Sequence, residues 1–165
     1  MKKARILGVL LVASVVPLAM LALADAPSDQ YTTFTKTRQD IFDRKTQLRW
    51  ARYQVLQATS AVDGEAKCAA AGFSDGGAGW RLPTVKELLT LVDEEPHQEA
   101  LSDGAVVQIA IDRNAFPGTR VDLPYLTASP TGPGGANVWV VDFRTGEARS
   151  VPSGGPFLVR CVRAE

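Results

Sequence analysis

Ten residues, Trp80-Arg81-Leu82-Pro83-Thr84-Val85-Lys86-Glu87-Leu88-Leu89, constrain the fold of this chain more than any others. Thr84 is placed to cap a helix, its hydroxyl accepting from the backbone N–H of Glu87. The Glu87 carboxylate can reach back to the N–H of Thr84, which completes a capping box. Pro83 cannot continue a helix backwards and fixes the entry of the chain. Val85, Leu88, Leu89 and Val92 then follow the i, i+3, i+4, i+7 spacing of one buried helix face. The stretch is architectural, and it points to a fold rather than to a chemistry.

The N-terminus reads as a targeting segment. Lys2, Lys3 and Arg5 precede an uncharged run from Ile6 to Ala24, and Ala22-Leu23-Ala24 has the small-x-small pattern of a cleavage site. An uncleaved anchor is the rival reading, since about nineteen mostly apolar residues could just span a bilayer. Pro17 and the Ala-x-Ala ending favour cleavage, and no cysteine stands near the end of the run to take a lipid. The expected organisation is a signal peptide over 1–24, a disordered lead-in over 25–30, and a single domain over 31–165. The mature part is then periplasmic or extracellular. It holds 15 basic against 18 acidic residues, a net charge of −3, and that balance gives no sign of a nucleic-acid partner. A membrane would be met only through the N-terminal segment, if that is uncleaved.

Two cysteines, Cys68 and Cys161, remain in an exported chain, and an even count there points to a disulfide. They stand 93 positions apart, with no CxxC and a single histidine, so metal binding or thiol catalysis is disfavoured.

Tyr31 to Thr37 has strand composition, and 41–52 reads as a hairpin with Leu48 and Trp50 on one face and Arg49 on the other. Ser60 to Ala71 reads as a helix ended by Gly72, and a second helix runs from about Val85 to Asp93. Residues 96–124 are irregular, with a short strand near Val106 to Ile111. Strands follow at Tyr125–Ser129, at Asn137–Phe143 with Trp139, Val141 and Phe143 on one face, and at Ala148–Val151. A closing strand covers Phe157 to Arg163. Helices early and an antiparallel meander late make an α+β domain.

Candidate chemistries are sparse. His97 with Glu94, Glu95 and Glu99 is more simply a solvated helix end than a metal site. The glycine-rich stretches 76–79 and 132–135 do not open directly onto a helix, as a phosphate cradle requires, and read as turns. There is no Gly-x-Ser-x-Gly elbow. A carboxylate pair for glycoside cleavage is invisible in sequence. Arg160, Arg163 and Asp142 read as edge ion pairs.

Four blocks in order carry a family resemblance. They are Asp43 to Trp50; Gly79-Trp80-Arg81-Leu82-Pro83-Thr84 with Glu87-Leu88; Ile111-Asp112 with Phe116-Pro117; and Val141-Asp142-Phe143 with Val159-Arg160-Cys161-Val162-Arg163. Over residues 43–163 the chain resembles the Lcl C-terminal domain family. It departs from that family's pattern at Leu126, where tryptophan is usual, and at Gln47, where glycine is usual. The resemblance implies a C-type-lectin-like fold, with two helices packed on a twisted antiparallel sheet, long irregular loops, and a bridge from the first helix to the last strand. The block from Arg81 to Glu87 is also similar to one in formylglycine-generating-type enzymes, which work through a reactive cysteine pair. Here both cysteines fall on the expected bridge.

In a lectin-like fold, binding residues sit on long loops carried by a rigid sheet. Arg113, Asn114, Arg120, Asp122, Tyr125 and Asn137 are the candidate ligand surface. Trp80, Arg81, Leu82, Pro83, Thr84 and Glu87 are the structural motif. The reading is a secreted, non-enzymatic binding or adhesion module of the bacterial envelope, with a glycan or an envelope protein as partner and no cofactor. The alternatives are an enzyme of the formylglycine-generating-like fold, a carboxylate-based hydrolase, and a structural component of an envelope assembly.

Overall fold

A computed structural model describes residues 29–32, 39–53, 55–73, 78–100, 104–132 and 134–165. The expected signal peptide, residues 25–28 of the lead-in, 33–37 of the first strand, 76–77 of the first glycine-rich stretch and 133 of the second lie outside the described residues.

The molecule is a small α+β fold built on two main sheets. Strands β1 (Tyr31–Thr32), β2 (Asp40–Asp43), β3 (Leu48–Ala51) and β11 (Val162–Ala164) form the first, all pairs antiparallel. The second has the order β4-β10-β7-β8-β9, from β4 (Leu56–Ala58), β7 (Tyr125–Leu126), β8 (Asn137–Asp142), β9 (Glu147–Pro152) and β10 (Phe157–Val159). Strands β5 (His97–Ala100) and β6 (Val106–Ile109) make a separate hairpin. Helices α1 (Ala61–Ala70) and α2 (Val85–Leu89) complete the fold.

The five-stranded sheet is covered on both faces, and its alternating side chains divide the core in two. Tyr125, Val141, Phe143 and Leu158 pack with Leu88 and Leu91 from the α2 region and with Ile41, Trp50 and Val162 from the first sheet. Leu126, Val138, Val140, Phe157 and Val159 pack on the other side with Cys68 of α1 and with Phe73, Trp80 and Leu82. The two helices pack on this sheet as expected, on opposite faces, but the expectation of a single antiparallel sheet is corrected: the strands divide between two main sheets. One pairing is parallel, β10 with β7.

The closing strand expected over 157–163 is two strands. β10 ends at Val159 in the second sheet, and β11 starts at Val162 in the first. Arg160 and Cys161 make the crossing. Cys161 is bonded to Cys68, which ties that crossing to α1.

The helix ends differ from their sequence expectation. Ser60 caps α1, its hydroxyl accepting from the N–H of Asp63, but the chain leaves the helix at Ala71 in an extended conformation, so Gly72 is not its cap. α2 ends at Leu89, four residues early. The N–H groups of Leu91 and Val92 donate three residues back, to Leu88 and Leu89, which tightens the coil. That tightening turns Leu91 inward, 3 % exposed, and Leu89 outward, 37 % exposed.

Two hairpin turns share one design. Asp43 and Asp142 each accept at a carboxylate oxygen from the N–H two residues on, Lys45 and Arg144, and each accepts at its carbonyl from the N–H four residues on. That fourth residue needs a positive φ, 60° at Gln47 and 75° at Gly146. Glycine adopts it without steric cost, whereas another residue is strained by about 1 kcal/mol. At Gly146 space also demands glycine, since a Cβ there would lie 2.9 Å from Val92 Cγ1. At Gln47 the side chain offsets part of the strain by donating to the Arg44 carbonyl at 2.7 Å. Gln47→Gly is thus expected to stabilise the protein by about 0.5 kcal/mol, read as a rise in the urea midpoint at unchanged slope.

Candidate functional site

The motif from Trp80 to Glu87 is joined to the scaffold at nearly every residue. Trp80 is buried against Phe73, ring centroids 4.2 Å apart. Arg81 exchanges backbone hydrogen bonds with Val162 of β11, at 2.9 and 3.0 Å. The Leu82 N–H donates to Glu65 of α1 at 2.8 Å, and the Pro83 carbonyl accepts from Ala128 at 2.7 Å. The Val85 N–H donates to the Ser129 hydroxyl at 2.9 Å. The capping box is present: Glu87 N–H donates to Thr84 Oγ1 at 3.2 Å, and Thr84 N–H to Glu87 Oε2 at 2.8 Å.

Glu87 also receives both arms of the Arg81 guanidinium, at 2.6 and 2.9 Å. That pairing and the Thr84 hydrogen bonds hold its carboxyl at about 2, below its ordinary 4.5. A carboxylate lowered in the folded state stabilises the fold above its unfolded pKa, and the contribution fades as pH falls from about 4.5 through 2. The pair is partly open to solvent, so about 1–2 kcal/mol is the expected size after screening. Glu87→Gln should therefore narrow the stability gap to wild type from neutral pH to pH 2, measured as urea unfolding along a pH series.

The second candidate region is a loop surface built over a buried cation. Arg160 at the strand crossing is 0 % exposed. One arm of its guanidinium donates to the carbonyls of Ala51 and Arg52, at 2.5 and 3.0 Å, and the other to the Thr119 hydroxyl at 2.8 Å. The cation lies 4.9 Å from the Phe116 ring centroid and 5.7 Å from that of Tyr125. No carboxylate pairs with it among the described residues, and burial pushes its pKa down from the ordinary value. The edge ion pair expected for Arg160 is corrected: it is an interior cation held by carbonyls, a hydroxyl and aromatic faces. Asp142 instead lies 3.8 Å from Arg149, and Arg163 stands over the Trp80 ring.

Around Arg160 the chain makes two loops, 51–53 and 112–122. Arg52 joins them, donating to the carbonyls of Ala115 and Asn114 at 3.0 and 3.1 Å. Asp112 Oδ1 accepts from the N–H groups of Asn114 and Ala115. Arg113 donates to the Thr119 carbonyl and to Glu99 of β5, which braces the hairpin against the loop. Arg120 and Asp122 form an exposed two-bond pair.

Tyr125 is corrected from a surface residue to a core one, 0 % exposed. Its hydroxyl accepts from the Arg120 N–H at 3.1 Å and donates to the Arg120 carbonyl at 3.0 Å, latching the loop from beneath. Burial raises its pKa above the ordinary tyrosine value. Arg113, Asn114, Arg120 and Asp122 thus share one loop. Asn137 does not join them: it begins β8, four positions before Val141, the partner of Tyr125, or about 13 Å along a strand.

Sequence reasoning missed two parts of this surface. Arg160 carries no local signal, because its burial follows from the switch between sheets. Arg52 ended the expected hairpin and Tyr53 was assigned to no element, but together they form a corner with the Arg52 guanidinium 4.8 Å from the centroid of the exposed Tyr53 ring. His97, in turn, is an exposed strand residue paired with Ile109. Among the described residues, no group of three or more His, Cys, Asp and Glu is placed to hold a metal ion, and no helix is long and apolar enough to cross a membrane. Two open grooves of about 460 and 510 Å³ flank α1, away from the loops.

A family model described as the Lcl C-terminal domain matches residues 39–163. No curated protein matches the chain.

Proposed function

We propose that this chain, which belongs to the Lcl C-terminal domain family, is a secreted, non-enzymatic binding or adhesion module of the bacterial envelope that recognises a glycan through its 112–122 loop. The chain is exported by residues 1–24, and the disulfide is compatible with that route. The fold is of the C-type-lectin kind, with recognition assigned to the loops. The observation that carries the reading is the buried Arg160 holding two loops together from beneath. Such support keeps exposed polar groups fixed before a ligand arrives, which lowers the entropic cost of binding. Asn114, Arg120 and Asp122 supply donors and acceptors of the kind that sugar hydroxyls require. The motif from Trp80 to Glu87 serves the scaffold.

Cysteine chemistry of the formylglycine-generating kind is disfavoured because Cys68 and Cys161 are bonded to each other. A glycan array probed with wild type and Arg120→Ala tests the proposal. Binding that falls at least fivefold in the variant supports it. An array with no signal contradicts it and favours a structural role in an envelope assembly.

A further inference from the structure

The 51–53 corner presents an aromatic ring on a rigid support. Tyr53 is 44 % exposed, while Trp50, three residues earlier, is fully buried. Three contacts hold the corner. Arg160 donates from beneath to the carbonyls of Ala51 and Arg52. Arg52 reaches sideways to the carbonyls of Asn114 and Ala115. Gly118 lets the two backbones touch, since a Cβ there would stand 2.7 Å from the Tyr53 carbonyl oxygen. The ring thus stays open to water while the backbone beneath it is held from three sides.

We infer that Tyr53 is a stacking platform for a sugar ring at the lip of the 112–122 loop, and that the sugar is a β-linked pyranoside of gluco configuration, in which the linkage is equatorial like the hydroxyls. This rests on the glycan reading above and adds to it a residue and a sugar class. A gluco-configured chair places its hydroxyls equatorially and leaves axial C–H groups on its faces, an apolar surface that fits a flat aromatic ring. Tyrosine is suited to the task, because it offers a large contact area with few rotatable bonds. Arg52 over the ring further limits its motion. The equatorial hydroxyls then meet polar groups of the neighbouring loop, where Asn114, Arg120 and Asp122 lie.

The test is ligand-observed NMR titration with cellotetraose and chitotetraose, with α-linked maltotetraose for contrast, on wild type and on Tyr53→Phe, Tyr53→Leu and Tyr53→Ala. Wild type should bind at least one β-linked probe more tightly than maltotetraose. Tyr53→Phe should stay within about twofold, while Tyr53→Leu and Tyr53→Ala lose about 5–10-fold, as the loss of an aromatic contact predicts. Leucine keeps apolar bulk without a flat face, so its loss separates stacking from packing. If a β-linked probe binds Leu and Ala variants as well as wild type, the platform is overturned and the glycan reading survives. If glycans bind on the array but neither β-linked probe does, the sugar class is overturned alone. If no sugar binds in either experiment, both fall.

Discussion

Arg160→Ala is expected to lower the unfolding free energy by about 3–5 kcal/mol. The change removes a fully buried side chain and leaves the carbonyls of Ala51 and Arg52 and the Thr119 hydroxyl without their donor. A buried acceptor stripped of its partner costs about 1–3 kcal/mol. The cavity under Phe116 and Tyr125 adds to that cost, while relief of burying a cation offsets part of it. Arg160→Lys keeps the charge but not the planar fork, so it should lose roughly half as much. Urea unfolding of the oxidised proteins checks both, provided the slope is unchanged.

The second large effect belongs to the disulfide. Cys68 and Cys161 are 93 positions apart, and a cross-link of that reach restricts the unfolded chain by about 4–5 kcal/mol in the chain-entropy account. The paired change Cys68→Ala/Cys161→Ala is therefore expected to cost about 3–5 kcal/mol, the lower bound allowing for residual structure in the unfolded chain. Both sulfurs sit in the core around Trp80, Leu82 and Val159, and the smaller alanines leave a gap there. Thermal and urea unfolding of the double variant, beside wild type with and without a reductant, measures the effect. Wild type unfolded under reductant should approach the double variant.

The two effects act on adjacent residues with different consequences. Cys161 joins the crossing between the sheets to α1, while Arg160 joins it to the loops. The first is a constraint on the whole chain. The second is local to the surface.

What was legible in the sequence was local chemistry. The capping box at Thr84 and Glu87 requires only four residues, and all its hydrogen bonds form. The hairpin β2–β3 follows from alternation across a tight turn, with Asp43 facing Leu48. The family resemblance drawn from four blocks over 43–163 is matched by the family model over 39–163. The bridge between Cys68 and Cys161 needed only the even count and the expected compartment.

What escaped was decided by tertiary structure. A run such as Phe157-Leu158-Val159-Arg160-Cys161-Val162-Arg163 reads as one strand, because nothing local marks a change of sheet. Once the sheets divide there, an arginine that looked like an edge residue lies in the interior. Tyr125 was misplaced for a related reason: its hydroxyl suggests a surface, yet the hydroxyl is satisfied by the backbone of Arg120. A polar tip with an internal partner allows an aromatic ring to be buried. The hairpin partner His97–Ala100 was missed because its residues are mostly exposed and carry no apolar alternation.

The division between scaffold and loop surface is tested most directly by native-state amide hydrogen exchange of wild type and Arg160→Lys. If Arg160 holds the loops, exchange should quicken most at the N–H groups of Thr119 and Arg120, which donate to Phe116 and to the Tyr125 hydroxyl. Those of Arg81, Leu82 and Leu88, which donate to Val162, Glu65 and Thr84, should change only by the amount common to the whole protein. An equal change at both sets of amides would contradict the account, because Arg160 would then stabilise the fold without organising its loops.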